Sequence, residues 1–144
     1  MKFKTTTAVL ALAFVASVSA HSERTRDLHM TKECSEWKGA AGDHCTITSS
    51  NIGRIKVGSR VYYVQAAGIL KGVMDSNIVL DAGNGNRAVG RCTLDQKTGL
   101  GLCTFSDGTG RLAGFNARIQ VSPPTDSENK HWHWDGTFSF SPRD

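Results

Sequence analysis

An all-β fold of six to eight short strands, arranged as a sandwich or a closed barrel, is what this sequence predicts. Short runs rich in β-branched and aromatic residues alternate apolar and polar positions, the pattern of strands with one buried face. Gly- and Asn-containing turns separate these runs at regular intervals, as in sandwiches and barrels. Past residue 20, no long window carries a 3.6-residue apolar period, so almost no helix is expected.

The chain opens MKFKTTTAVLALAFVASVSA, with Lys2 and Lys4 ahead of an apolar run and Val18-Ser19-Ala20 as a small-residue cleavage site. Residues 1–20 read as a signal peptide, because the apolar run is too short for the ~20 residues that span a bilayer. The expected location is therefore secreted or periplasmic, with no membrane span in the mature protein. Residues 21–44 read as a charged, mobile N-terminal arm followed by a cysteine-containing loop that packs Trp37 against the body. The barrel or sandwich domain is placed at 45–144.

Within that domain CTITSS (45–50) is a first strand and SRVYYVQA (59–66) a second. The second puts Val61, Tyr63 and Gln65 on one face and Tyr62, Val64 and Ala66 on the other, as in a strand covered on both sides or sitting in an interface. SNIVLD (76–81) follows, closed by a turn centred on Asn84-Gly85. Residues 87–94 and 100–106 form a hairpin. If Cys92 faces Cys103, Gly90 lies opposite Phe105 and Leu94 opposite Gly101. Residues 111–121 alternate Ala113, Phe115, Ala117, Ile119 and Val121 against Asn116, Arg118 and Gln120, and Pro123-Pro124 ends that strand. HWHWDGTFSF (131–140) is the last strand.

Four cysteines, Cys34, Cys45, Cys92 and Cys103, suit disulfides in an exported chain better than zinc, since no CxxC pair is present. Three pairings are possible, and the equal spacing within successive pairs favours two local loops. The net charge of +4 includes Lys2 and Lys4 of the leader, and no Lys/Arg tract is present, so nucleic acid is not an expected partner.

A resemblance narrows the fold. Gly90-Arg91-Cys92, Phe105, Gly108-Thr109-Gly110, Gly114-Phe115 and Trp134-Asp135-Gly136-Thr137-Phe138 are similar to the allene oxide cyclase barrel-like proteins, the superfamily that includes the dirigent proteins. The match covers about the C-terminal half of the mature chain. It implies an eight-stranded antiparallel barrel of calycin type that works without a cofactor, is often a dimer or trimer, and holds a small apolar ligand or intermediate. No catalytic residue of that superfamily falls on a matching position here, so none is carried over.

Candidate chemistry is sparse. His131, His133 and Asp135 alternate onto one face of a strand and could converge on a metal, with His44 as a distant fourth ligand; the plainer reading is a solvated face beside Trp132 and Trp134. Asn116, Arg118 and Gln120 form a polar stripe that either lines a lumen, with Arg118 as an anchor for an anionic or carbonyl-bearing ligand, or faces solvent. Tyr63, with Tyr62 and Asp81, offers hydrogen-bonding or acid–base groups if it points inward. Gly108-Thr109-Gly110 opens no helix and is a tight turn, not a phosphate loop. No nucleophile arrangement stands out. A binding or structural module is the favoured expectation; a cofactor-free isomerase, cyclase or dirigent-like guide is the alternative, to be decided by how much room the lumen holds.

Overall fold

Eight strands follow one another in the computed structural model, which describes residues 11–13, 24–125 and 130–142. They are β1 (Arg26–Glu33), β2 (His44–Ser50), β3 (Arg60–Tyr63), β4 (Val73–Asp81), β5 (Arg87–Asp95), β6 (Gly101–Gly108), β7 (Phe115–Ser122) and β8 (His131–Phe140). Each pairs antiparallel with the next, and β8 closes on β1 from Arg26↔Phe138 to Glu33↔His131. The result is a closed up-and-down barrel, which leaves no sheet edge unpaired. The only helical element among the described residues is the 3₁₀ turn Gly110–Leu112. No described helix is long and apolar enough to cross a membrane. The signal-peptide reading of 1–20 falls, apart from 11–13, outside the described residues.

Period-two alternation assigns the faces. Ile78 and Leu80 of β4, Phe105 of β6, Phe115, Ile119 and Val121 of β7, and Trp134 and Phe138 of β8 are buried in the lumen. Their rings fill its middle: Phe105 lies 5.5 Å from Phe115 and 6.0 Å from Trp134, and Phe115 lies 6.3 Å from Phe138. Outside, Arg91 holds Asp75 through two bonds of 2.9 and 2.7 Å across β4 and β5, and this keeps the Asp75 carboxyl below its ordinary range.

The hairpin register is as read from the sequence: Cys92 opposes Cys103, Gly90 opposes Phe105 and Leu94 opposes Gly101. Gly90 is required by close approach, because a Cβ there would run into the Thr104 carbonyl oxygen and lie 2.9 Å from the Phe105 ring. The β4–β5 turn takes positive φ at both Asn84 (55°) and Gly85 (76°), as a tight two-residue hairpin turn demands.

Three expectations are corrected. The supposed N-terminal arm contains β1, so the barrel begins at Arg26 rather than at Cys45. Leu28, Met30 and Lys32 alternate into the lumen, and the lysine at the third inward position hides the apolar period. β3 stops at Tyr63 instead of running to Ala66, because the Gln65 side chain turns back to accept the Asn77 backbone N–H at 2.6 Å. The run from Arg111 is broken at Gly114 (φ 76°); Leu112 leaves the sheet and is buried in the turn before β7.

Candidate functional site

Both disulfides form at one end of the barrel. Cys34–Cys45 ties the exit of β1 to the start of β2, and Cys92–Cys103 bridges β5 and β6 with Cα atoms 4.1 Å apart. That separation suits a non-hydrogen-bonded antiparallel pair, where side chains approach closest. Between the strands joined by the first bridge, the loop over residues 34–43 folds across the barrel mouth. Asp43 Oδ2 accepts the backbone N–H groups of Lys38 and Ala40, and Gly42 donates its N–H to the Tyr63 carbonyl at 2.7 Å. The loop so fixed places Trp37 edge-on to Tyr63, with ring centroids 6.1 Å apart.

Beneath this loop lies a cavity of about 50 Å³. Met74, Val121 and the cysteines of both disulfides line it. Cys34, Trp37, Leu94 and Trp132 at its rim are only half-buried, and Thr93 is exposed, so it opens to solvent. Its polar content is concentrated in two side chains, Lys32 and Tyr63.

Lys32 is the unusual residue. It sits at an inward position of β1 and is 4% exposed. The strand register slips between Thr31 and Lys32, where β2 carries an extra residue; bulges of this kind sharpen the local twist and re-aim the neighbouring side chains. Lys32 Nζ donates a hydrogen bond to Tyr63 Oη. It also lies over the Trp134 ring, 4.6 Å from its centroid, within cation–π range. No carboxylate pairs with it among the described residues. Burial without a counter-ion pulls the Lys32 ammonium down to about 7. The same burial pushes the Tyr63 phenol above its ordinary range, so Tyr63 stays neutral and able to donate. An amine that changes charge near neutrality thus faces an apolar chamber beside a neutral phenol.

The polar residues proposed from sequence do not assemble here, Tyr63 excepted. Arg118 and Gln120 lie on the outer wall, because Ala117, Ile119 and Val121 take the lumen side of β7. Asn116 is half-buried outside as well, with its Nδ2 donating to the Gly114 carbonyl and to Ser141 Oγ, both at 2.9 Å. As lumen anchors these three are therefore corrected. Tyr62 packs on His44 on the outer surface with ring centroids 5.5 Å apart, and Asp81 pairs with Arg87 at 3.5 Å. His131, His133 and Asp135 share the outer face of β8, while Asp135 is engaged at 2.8 Å by His29 Nδ1 of β1. Among the described residues no three His, Cys, Asp or Glu side chains are grouped as a metal would need.

No family model, curated protein or solved structure matches the chain.

Lys32 itself was missed because its strand reads as a charged arm. The detectable signal was Leu28-x-Met30-x-Lys32 read at period two, continued by the cysteine at position 34.

Proposed function

We propose that the protein is an exported barrel that binds a small organic acid, or the acid head of a longer apolar ligand, at its disulfide-framed mouth. The observation that carries this reading is a buried lysine that has no carboxylate partner among the described residues and opens onto an apolar cavity. Buried charges are normally paired, and an acid head would supply the missing counter-ion. Lys32 would hold the carboxylate and Tyr63 would donate a second hydrogen bond to it. The half-buried faces of Trp37 and Trp132 at the rim offer apolar surface for a tail. Export is supported by the leader-like first 20 residues and by the two disulfides.

Membership of the allene oxide cyclase-like barrel group is part of the same proposal, supported by the antiparallel eight-strand closure and the motifs of its C-terminal half. Catalysis on a substrate enclosed by the barrel is the second reading. Contact between an amine and a phenol favours it, since such a pair can relay a proton. Volume opposes it: the cavity measures about 50 Å³, whereas sites enclosing drug-sized ligands span roughly 300–1,000 Å³. The space admits a head group and little more.

All three tryptophans of the chain stand around this region: Trp37 and Trp132 line the cavity, and Trp134 contacts Lys32. Their fluorescence therefore reports on it. Titration with hexanoate at pH 6 should give a saturable change, weakened about tenfold or more in Lys32→Met, as expected for loss of a hydrogen bond to a charged group. Hexanol should bind more weakly than hexanoate. A flat titration, or one that Lys32→Met leaves unaltered, would overturn the assignment.

A further inference from the structure

The opposite end of the barrel carries a different kind of site. Here the lumen is stopped by the buried side chains of Ile52, Ile55 and Leu112, supplied by the β2–β3 and β6–β7 connections. Above them runs an open groove of about 500 Å³, continued by a second recess of about 410 Å³ that shares Arg54, Arg111 and Phe140 with it. Four arginines line the groove: Arg24 and Arg26 at the entry to β1, Arg54 from the β2–β3 loop, and Arg111 from the 3₁₀ turn. Among the described residues no acidic side chain lines either recess, and none of the four arginines is ion-paired. Elsewhere Arg87 and Arg91 do find aspartate partners on the outer wall.

The guanidinium groups are presented by a built frame. Asn51 ties the β2–β3 loop to β1 by accepting the His29 N–H at 2.8 Å and donating to the Asp27 carbonyl at 3.0 Å. Asn86 Oδ1 accepts the Arg111 backbone N–H at 2.8 Å and so fixes the 3₁₀ turn. The Arg54 guanidinium lies over Phe140, its Cζ 4.2 Å from the ring centroid, and donates through Nη1 to the Arg111 carbonyl at 3.3 Å. Stacked in this way, it has lost much of its side-chain freedom, so less is lost when it grips a ligand. Four like charges held together repel one another and raise the local positive potential, which favours an anion that neutralises several of them.

We propose that this groove binds a phosphate or sulfate ester whose organic part lies against Phe138 and Phe140. Planar guanidinium forks match tetrahedral oxyanions through paired N–H donors, and the aromatic floor suits a ring or a short apolar chain. The site is independent of the Lys32 cavity at the other mouth.

Phenyl phosphate, titrated into the disulfide-intact protein and followed by calorimetry at low ionic strength, tests the assignment. Saturable one-to-one binding is expected, weakened about tenfold in Arg54→Gln and further in Arg26→Gln/Arg54→Gln, each lost donor to an anion being worth about that much. Arg118→Gln, which removes the same charge from the outer wall, should change affinity less than about twofold, because distant exposed charges are screened. Flotation with phosphatidic acid vesicles separates the two sources of the ester. Arginine-dependent flotation without phenyl phosphate binding would place it on a lipid surface; binding without flotation would place it on a soluble ligand. No binding of either probe, or equal losses in Arg118→Gln and Arg54→Gln, would overturn the proposal. Hexanoate binding in Arg26→Gln/Arg54→Gln should match the parent protein.

Discussion

The two mouths of this barrel are closed by different means. At one, covalent bonds do the work: two disulfides and a hydrogen-bonded loop frame a small apolar chamber. At the other, apolar packing of Ile52, Ile55 and Leu112 seals the lumen and leaves the charges outside. β1 joins the two, with Arg26 exposed at its start and Lys32 buried near its end, both on the lumen-side alternation of Leu28 and Met30. A cation in contact with water keeps its charge at little cost, whereas one enclosed by rings and sulfur must find a counter-ion or give up its proton. Burial near the end of that strand is thus what turns Lys32 into a titrating group.

That contrast can be broken first through pH. Lys32 carries an ordinary value of 10.5 when unfolded and about 7 when folded. Between those values the unfolded chain binds more protons, so stability rises with pH across the window. The gain is up to about 4 kcal/mol, at about 1.4 kcal/mol per unit. Above 10, Tyr63 reverses the trend, because its folded form holds its proton longer than the unfolded one. Urea unfolding at pH 6, 8 and 10 should show this rise; in Lys32→Met/Tyr63→Phe it should flatten, with stability at pH 7 no lower than in the parent. A slope that survives the double substitution would assign the titration elsewhere.

Removing a bridge comes next in size. Cys92→Ala/Cys103→Ala should lower stability by about 3 kcal/mol by the loop-closure relation for an 11-residue separation, and the melting temperature reads it. The loss should come with weaker hexanoate binding and unchanged phenyl phosphate binding, since only one mouth is loosened. Gly90→Ala, which drives a methyl into the Thr104 carbonyl of the partner strand and toward the Phe105 ring, should cost about 1–3 kcal/mol by overpacking. Arg54→Gln, at the exposed mouth, should move stability by less than about 0.5 kcal/mol, as surface changes do. A large loss there would mean that the arginines brace the fold.

From Gly90 to Phe105 the hairpin was legible to single-residue register, because two cysteines and a glycine beneath an aromatic ring over-determine its pairing; the bulge between Val89 and Gly90 was not. β8 and β7 from Phe115 onward were legible by alternation alone, but the break at Gly114 was not. β1 was not. Its inward residues run from arginine through leucine and methionine to lysine, and charge at both ends masks a buried strand. The polar stripe Asn116, Arg118 and Gln120 could be read as a stripe, but which face meets the lumen is set by its neighbours once the barrel closes.

Local chemistry therefore specified the strands, their turns and a disulfide framework, all of which depend on residues close together in the chain. Both candidate sites depend on closure. The pairing of β1 with β8 places Lys32 against Trp134, and the curl of the sheet brings Tyr63 to the same chamber; at the far mouth, arginines from three separate segments share one groove. A sheet that stayed open would contain the same strands and neither site.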